Sequence, residues 1–173
     1  MSDTRSQIRT CIYNNPGIHF NAISRQLDIA TGQTQYHLRR LSKKQRVNKE
    51  SVCGRTHYYP PTYSEWERGA IALLRRETAR EIVLLLLKQD EIQPARIATQ
   101  LDLARSTIEW HLSQLIEYGI VTKEPRRSDQ RDTLVVTLTN SSDIYRLLRE
   151  IEPGLLDRLV DRFSRLTDEL LDE

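Results

Sequence analysis

The amino-acid sequence contains the same segment twice, 74 residues apart. Residues 23–50 align without a gap with residues 97–124, and 11 of the 28 aligned positions are identical. The correspondence extends back to Ile18 and Ile92. A gapless repeat of this length indicates that one structural unit occurs twice in the chain.

The second copy predicts the order of elements within the unit. A first helix is expected through AREIVLLLLK with Thr78 as its N-cap, and Pro94 suits the first turn of a second helix. A third helix, RSTIEWHLSQLIEY, follows the short connection LA and ends at Gly119. Two strands, IVTKE and TLVVTLT, flank the polar, turn-prone segment PRRSDQRD.

The first copy repeats this order. Helices are expected over residues 4–14, 20–27 and 31–45, and the strands RVNKE and THYY flank a turn at SVCGR. Three helices followed by a two-stranded hairpin form a winged helix-turn-helix unit. The predicted fold class is therefore mainly α with small β wings, built from two tandem winged helix-turn-helix units plus C-terminal helices.

Two stretches carry a resemblance to a known family: NPGIHFNAISRQLDIATGQTQYHLRRL and IQPARIATQLDLARSTIEWHLSQLIEYGIV. Both resemble the MarR/ArsR-like winged-helix transcription regulators, in particular the tandem versions common in archaea. The resemblance implies DNA binding, a two-fold homodimer that reads two half-sites, and an archaeal source.

Four segments are predicted along the chain. Residues 1–62 form the first, DNA-binding unit, 63–76 a linker helix, 77–140 the second unit, and 141–173 a C-terminal helical dimerisation tail. Ser64 is the expected N-cap of the linker helix, which has a partly apolar face. A helical linker would hold the two units in one relative position.

The third helix of a winged helix-turn-helix unit enters the DNA major groove. In the first copy, helical periodicity places Thr34, Leu38 and Leu41 toward the core and leaves a polar, basic side free. Such a side suits hydrogen bonds to base edges and contacts with phosphates. The predicted DNA-binding residues are Thr31, Gly32, Gln33, Gln35, Tyr36, Arg39, Arg40, Lys43 and Lys44 on this helix and Arg55 on the wing.

The equivalent face of the second copy differs in charge. Serine, glutamine and glutamate occupy positions 113, 114 and 117, where the first copy has two arginines and a lysine. A carboxylate there disfavours a phosphate backbone, and an exposed Trp110 favours a protein interface. DNA binding by both copies stays open. The candidate residues of this second DNA or partner face are Arg105, Ser106, Thr107, Trp110, Gln114, Arg126, Arg127 and Arg131.

The charge distribution agrees with this division. Residues 1–62 contain 10 Lys/Arg and 3 Asp/Glu, a net charge of +7, while residues 63–173 have a net charge of −5. Asymmetry between halves is typical of nucleic-acid-binding proteins. The excess of positive charge falls on the unit whose third helix is basic.

The tail contains two helical patterns. Apolar residues form one stripe over 144–151, and after the interruption EPG they recur at spacings of 3, 4, 3 and 4. This second pattern indicates a helix that pairs with a second copy, although packing on the chain's own second unit is the alternative. The predicted dimerisation residues are Leu156, Leu159, Phe163, Leu166 and Leu170.

Several kinds of site are not indicated. The six glycines are at least 15 residues apart, so no phosphate-cradling loop is expected, and the histidines lack the i, i+4 spacing of metal ligands. We expect no enzyme activity, cofactor or metal. The longest apolar run, residues 82–87, is too short to span a bilayer, and no signal peptide is recognised, so a cytoplasmic protein is expected.

Cysteine and histidine pairs leave smaller alternatives open. Cys11 is expected to be buried. The position of Cys53 in a predicted turn allows exposure and a redox or metal role with His57. His37 and His111 occupy one repeat position; they are predicted to be packed at a helix flank, with a pH switch as the alternative.

The leading hypothesis is a sequence-specific regulator that binds double-stranded DNA as a homodimer. The alternative is a tandem winged-helix scaffold that binds proteins, similar to the accessory proteins of SMC complexes. The acidic second half and Trp110 favour the scaffold, whereas the basic third helix of the first copy favours DNA. The sequence does not identify an operator or an effector ligand.

Overall fold

The computed structural model describes residues 3–128 and 131–152. The first unit contains α1 Thr4–Asn14, β1 Ile18–His19, α2 Phe20–Leu27, α3 Thr31–Lys43, β2 Asn48–Val52 and β3 Arg55–Tyr59. The second contains α5 Glu77–Gln89, β4 Glu91–Ile92, α6 Pro94–Leu101, α7 Arg105–Glu117, β5 Val121–Ser128 and β6 Arg131–Leu138. The linker helix α4, Glu65–Leu74, precedes the second unit, and α8, Ser141–Ile151, follows it.

The helix order and the mainly α class with small wings are as predicted. Pro94 occupies the first turn of α6. Gly119 follows α7 with a φ of 65°, a left-handed conformation that glycine adopts without the steric cost of a Cβ. One helix start is wrong by two residues, since α5 begins at Glu77 with Arg76 at the N-cap instead of Thr78.

Each wing is a three-stranded sheet instead of the two-stranded hairpin that the sequence predicts. The strand orders are β1-β3-β2 and β4-β6-β5, all antiparallel. Ile18 pairs with Tyr58 in the first sheet and Ile92 with Val136 in the second. The repeated isoleucines therefore mark a third strand whose two residues are too few to show an alternating pattern.

The hairpin turns are shorter than predicted. In the first wing, Cys53 and Gly54 alone form the turn, with φ of 48° and 76°, as in the type I′ turns that match strand twist. In the second wing, most of PRRSDQRD belongs to the strands, with Pro125 opposite Leu134. Most of the predicted polar turn is thus extended β-structure.

The repeated aspartate is explained by the end of the second helix in each unit. Asp28 and Asp102 adopt left-handed conformations, with φ of 51° and 52°, at the C-caps of α2 and α6. Aspartate tolerates this conformation better than most residues because its short side chain bonds locally. The same cap in both units directs the chain into α3 and α7.

The described residues form two hydrophobic cores of unequal size. The smaller core lies within the first unit, among α1, α2, α3 and the wing, and includes Ile8, Ile23 and Leu38. The larger core joins α4, the second unit and α8, and it also takes in Val52 and Tyr59 from the first wing. The first wing therefore belongs to both cores and connects the units.

The linker helix α4 is more deeply buried than its sequence pattern predicts. Ser64 caps it in a reciprocal capping box with Glu67, as expected for the cap, but every residue from Gly69 to Leu74 is buried. A helix that is apolar on all sides is typically a buried one. The helix therefore acts as a rigid central element between the units.

Helix α8 packs on this same central helix. The predicted apolar stripe is confirmed, since Ile144, Leu147 and Leu148 are fully buried, and Arg146 binds Glu67 of α4 at 2.5 Å. The first part of the predicted dimerisation tail is thus part of the larger core. The seam Leu156, Leu159, Phe163, Leu166 and Leu170 lies outside the described residues. Over the two described ranges, every helix is too short or too polar to cross a membrane.

Candidate nucleic-acid interface

Helix α3 presents a continuous polar face to solvent. Thr34, Leu38 and Leu41 are buried with exposures of 0%, 2% and 3%, so the predicted core stripe is confirmed. This stripe fastens the helix to α1 and α2 and orients the opposite side outward. The residues predicted to bind DNA on this helix and at its C-cap are all exposed: Thr31, Gly32, Gln33, Gln35, Tyr36, Arg39, Arg40, Lys43 and Lys44.

Tyr36 and Arg40 form an ordered pair on this face. The Arg40 Nη1 donates to the Tyr36 hydroxyl at 2.6 Å, and its guanidinium carbon lies 5.6 Å from the ring centroid. A cation above an aromatic face is attracted by the ring quadrupole, and residues four apart are neighbours on a helix. The pair limits the conformations of Arg40 while leaving its other donors free.

The remaining cations of the face are unpaired within the part of the chain that the structure describes. Over the described residues, Arg39, Lys43 and Lys44 form no salt bridge, whereas most charged residues of α4 and α8 do. Unpaired cations on a rigid, exposed helix are available to phosphates or base edges. The face therefore has the chemistry of a nucleic-acid-binding surface.

A groove between α2, α3 and β3 extends this basic surface. It has a volume of about 700 Å³, and its lining includes Arg25, Gln35 and Arg55. Arg55 is exposed, as expected for a wing residue, and it lies on the same side as α3. Arg25 was not among the residues predicted to bind DNA. The repeat nevertheless marks this position, because the equivalent residue of the second copy is the uncharged Thr99.

His19 lies at the edge of this groove and caps α2, where its Nδ1 accepts a hydrogen bond from the Ala22 amide. Partial burial lowers the pKa of His19, and the nearby cations Arg55 and Arg25 lower it further. The imidazole is therefore neutral near pH 7. The positive charge of the groove comes from the arginines.

The tip of the first wing is docked on the second unit. Val52 is fully buried in the larger core, and the Cys53 thiol donates to the Gln114 side-chain oxygen at 2.7 Å. Arg76 also donates to the Cys53 carbonyl at 3.3 Å. The tip is consequently held against α7 through Cys53, while Gly54 and Arg55 line the groove beside α2 and α3.

This docking partly buries two residues for which the sequence allows other roles, Cys53 and Gln114. Cys53 lies in the turn, as the sequence predicts, and is half-buried instead of fully exposed. Gln114, a candidate of the second face, is half-buried and engaged within the chain. Among the described residues, no group of three or more His, Cys, Asp or Glu side chains is placed to hold a metal ion.

The outer side of α7 is exposed but not basic. Trp110 is 51% exposed, and Arg105, Ser106 and Ser113 are exposed beside it, while Thr107 is half-buried. Glu109 binds Lys123 of β5 at 2.7 Å. This face thus combines an aromatic ring and small polar groups instead of a row of free cations.

The second wing carries the remaining candidate arginines. Arg126 and Arg127 are exposed in β5, and Arg126 is ion-paired with Glu91. Arg131 begins β6, opposite Ser128. The strand register places these three residues in the half of the wing nearest its hairpin turn.

The two repeated histidines make the same contact in each unit. His37 packs edge-on against Tyr36 at 5.2 Å between ring centroids, and His111 packs edge-on against Trp110 at 4.7 Å. Burial lowers the pKa of His111, and the charge of Arg76 lowers it further. These contacts agree with the prediction of packed histidines at a helix flank.

Two family models match the chain. Residues 2–71 match a model described as an N-terminal HTH domain, and residues 75–122 match one described as winged helix-turn-helix DNA-binding. Together the two matches span more than half of the chain. The boundary between them falls at the end of α4.

A curated relative is similar over most of the chain. The HTH-type transcriptional regulator MJ1398 of Methanocaldococcus jannaschii is 30% identical over 145 residues. The match covers 82% of this chain and 34% of the relative, so the chain spans about a third of that protein's length.

Solved structures are similar only at a distance. A transcriptional regulator homologue from Pyrococcus horikoshii OT3 is 22% identical, covers 56% of this chain and 98% of its own, and has a TM-score of 0.44. Overoxidized AbfR bound to DNA is 19% identical, with coverages of 82% and 92% and a TM-score of 0.42. The family assignment consequently depends on the sequence matches. By those matches and by its element order, the chain belongs to the winged helix-turn-helix family and carries two such domains in tandem.

Proposed function

We propose that this protein is a transcription regulator that binds double-stranded DNA sequence-specifically, with α3 of the first unit in the major groove. The observation that carries this proposal is the exposed face of α3, where Arg39, Lys43 and Lys44 lie over a buried stripe of core residues and form no salt bridge with any residue that the structure describes. The names of the matching family model and of the archaeal relative support it.

The dimensions of α3 suit this role. The helix has 13 residues, which corresponds to a length of about 20 Å, and the major groove of B-DNA is wide enough to admit one helix. Glutamine pairs with adenine edges and arginine with guanine edges. We assign base contacts to Gln33, Gln35 and Arg39, and backbone contacts to Lys43 and Lys44.

The second unit acts mainly as a platform in this proposal. It holds the first wing through Cys53, Gln114 and Arg76, so the orientation of α3 depends on the packing between the units. The exposed Trp110 serves as a contact for protein. Contacts of Arg126, Arg127 and Arg131 with flanking phosphates are compatible with this arrangement.

We further propose that the protein is a homodimer joined by the heptad seam over residues 156–170. Substitution of Leu159 and Leu166 by aspartate is expected to convert a particle of twice 20.3 kDa into one of 20.3 kDa in light scattering. An unchanged mass would assign the seam to packing within one chain.

The function itself is tested by the salt dependence of DNA binding. Fluorescence anisotropy of a labelled 30-base-pair duplex of random sequence is measured between 50 and 200 mM NaCl. Each neutralised phosphate contributes about 0.9 to the slope of log K against log salt, so the three cations of α3 and its C-cap that are not assigned to bases, Arg40, Lys43 and Lys44, contribute about −3 to the slope for each bound unit. A protein-binding scaffold would show little binding and almost no slope, and that result would refute the proposal.

A further inference from the structure

A second group of cations lies beside the C-terminal end of α3. Arg5 and Arg9 of α1 and Lys44 and Arg46 after α3 line a pocket of about 240 Å³, together with Asp3. The opposite flank of α3 is the one that faces β3, since Gln35, Arg39 and Ser42 share a groove with Thr56. The reading face of α3 is therefore bordered by basic residues on both sides.

The local fold explains why these four cations meet. Arg5 and Arg9 are one turn apart and share one side of α1. Gln45 is left-handed, with a φ of 53°, and the Arg46 amide donates to the Leu41 carbonyl at 2.9 Å, which closes a Schellman motif at the end of α3. The Tyr13 hydroxyl of α1 donates to the Arg46 carbonyl at 3.2 Å. This turn therefore places Arg46 next to α1.

The electrostatics of the pocket are unbalanced. Four cations face one carboxylate, and within the described residues none of the four forms a salt bridge. The Arg5 Nε is buried, and no residue that the structure describes forms a hydrogen bond with it. A buried donor without a partner costs about 1–3 kcal/mol, and crowded like charges repel. A bound anion would accept a hydrogen bond from the Arg5 donor and would reduce the repulsion between the four cations.

The second unit provides an internal comparison. The positions equivalent to these cations are Ala79, Val83, Tyr118 and Ile120. Three of them are fully buried, and Tyr118 packs on Gly69 of α4. The same place in the fold is thus covered by a helix in the second unit and is open and basic in the first. Its composition suits an anion and not another apolar helix.

From these observations we propose that Arg5, Arg9, Lys44 and Arg46 form a binding site for a phosphoryl group. The site lies next to α3, so the proposal that α3 enters the major groove makes a backbone phosphodiester of the same duplex its ligand. The choice of DNA as the source of the phosphoryl group rests on the proposed function. Free phosphate or pyrophosphate has the same chemistry and is the alternative source.

The test uses Arg9→Ala, Arg46→Ala and the double variant, since both side chains are exposed and their loss leaves the core intact. Arg149→Ala, an exposed arginine on α8, is the control with the same change in charge. Thermal melts of all variants verify folding.

The first arm measures the salt slope of duplex binding. Each lost phosphate contact reduces the slope by about 1, so the double variant is expected to lose about 2 while Arg149→Ala keeps the wild-type slope. The second arm titrates the protein with pyrophosphate in the absence of DNA and follows the heat of binding.

The outcomes separate the two proposals. A reduced slope identifies DNA as the ligand source, and pyrophosphate binding that the double variant loses identifies free phosphate. An unchanged slope together with no pyrophosphate binding overturns the phosphate site, even if the wild type binds DNA. A wild type that binds no duplex refutes the proposed function, and the pyrophosphate arm still decides on the site.

Discussion

Gly69→Ala is expected to weaken the contact between α4 and the second unit. Gly69 is buried in the middle of α4, and a Cβ added there would lie 2.4 Å from Tyr118 Cδ1 and 3.0 Å from Cε1. Carbon atoms in contact prefer separations of about 3.5–4.0 Å. The Tyr118 ring would therefore have to move away from the helix by about 1 Å.

The magnitude follows from two opposing effects. Extra methyl groups in a packed site cost about 1–3 kcal/mol, whereas alanine is favoured over glycine in a helix interior by about 1 kcal/mol. The net loss in free energy of unfolding is therefore about 0–2 kcal/mol. Gly32→Ala is the matched control, because that glycine is also helical and an added Cβ has no atom within 4 Å.

The assay is thermal unfolding of both variants. With the steric cost confined to Gly69→Ala, its melting temperature should fall below that of Gly32→Ala by roughly 2–12 °C, at 2–4 °C per kcal/mol for a chain of this size. The same change in a Tyr118→Ala background should no longer destabilise, since the clash is removed. If Gly69→Ala is as stable as Gly32→Ala, Tyr118 does not pack on α4, and the described packing of α4 on the second unit is wrong.

Two further perturbations test other parts of the structure. Burial lowers the pKa of His57 below its ordinary value of 6.5, and the charges of His19, Arg76 and Arg75 act in the same direction, against its bond to the Gly17 carbonyl at 2.7 Å. As the pH falls, the histidine is therefore protonated in the unfolded chain before it is protonated in the folded one. The free energy of unfolding in urea should be at its full value above about pH 6.5 and should fall below that pH by up to about 1.4 kcal/mol per pH unit for each such histidine. His57→Asn keeps a donor for that carbonyl without titrating, and an equally steep pH dependence in this variant would assign the effect to other groups. Ser64→Ala removes the capping box of α4 and should cost about 1 kcal/mol, which chemical denaturation detects; Ser113→Ala, whose hydroxyl bonds only within α7, should cost less than about 0.5 kcal/mol.

The local features of the fold were accessible from the sequence because they depend on neighbouring residues. The repeat indicated the unit, and periodicity placed Thr34, Leu38 and Leu41 in the core. The capping residue of α4 and the glycine after α7 follow from backbone preferences at helix ends. Such signals act over a few residues and do not require knowledge of the tertiary structure.

Contacts between distant segments could not be predicted in the same way. The docking of Cys53 on Gln114 joins residues 61 positions apart, and no local pattern marks either of them. The burial of α4 arises because both units and α8 surround it, although its run of small and apolar residues, GAIALL, was a usable signal. The two-residue strands β1 and β4 depend on pairing with β3 and β6 and have no periodicity of their own.

The candidate site was only partly predictable for the same reason. Periodicity identified the exposed residues of α3, but the cations that border it are on other elements, such as Arg25 on α2 and Arg9 on α1. Comparison of the two copies supplies the missing signal, because the equivalent positions are Thr99 and Val83. Where two copies of one fold share a residue, packing explains it. Where only one copy has a charge, as at Arg25 and Arg9, the position is a candidate for binding.

The central claim is that α3 of the first unit, and not α7 of the second, reads DNA. The most direct measurement compares duplex affinity for Arg39→Ala and Ser113→Ala, which change the same repeat position in the two units. Loss of an arginine contact to a base costs about 1–3 kcal/mol, so Arg39→Ala should weaken binding about 5-fold to more than 100-fold, while Ser113→Ala stays within about 2-fold. Equal losses at both positions, or a loss at Ser113 alone, would contradict the account.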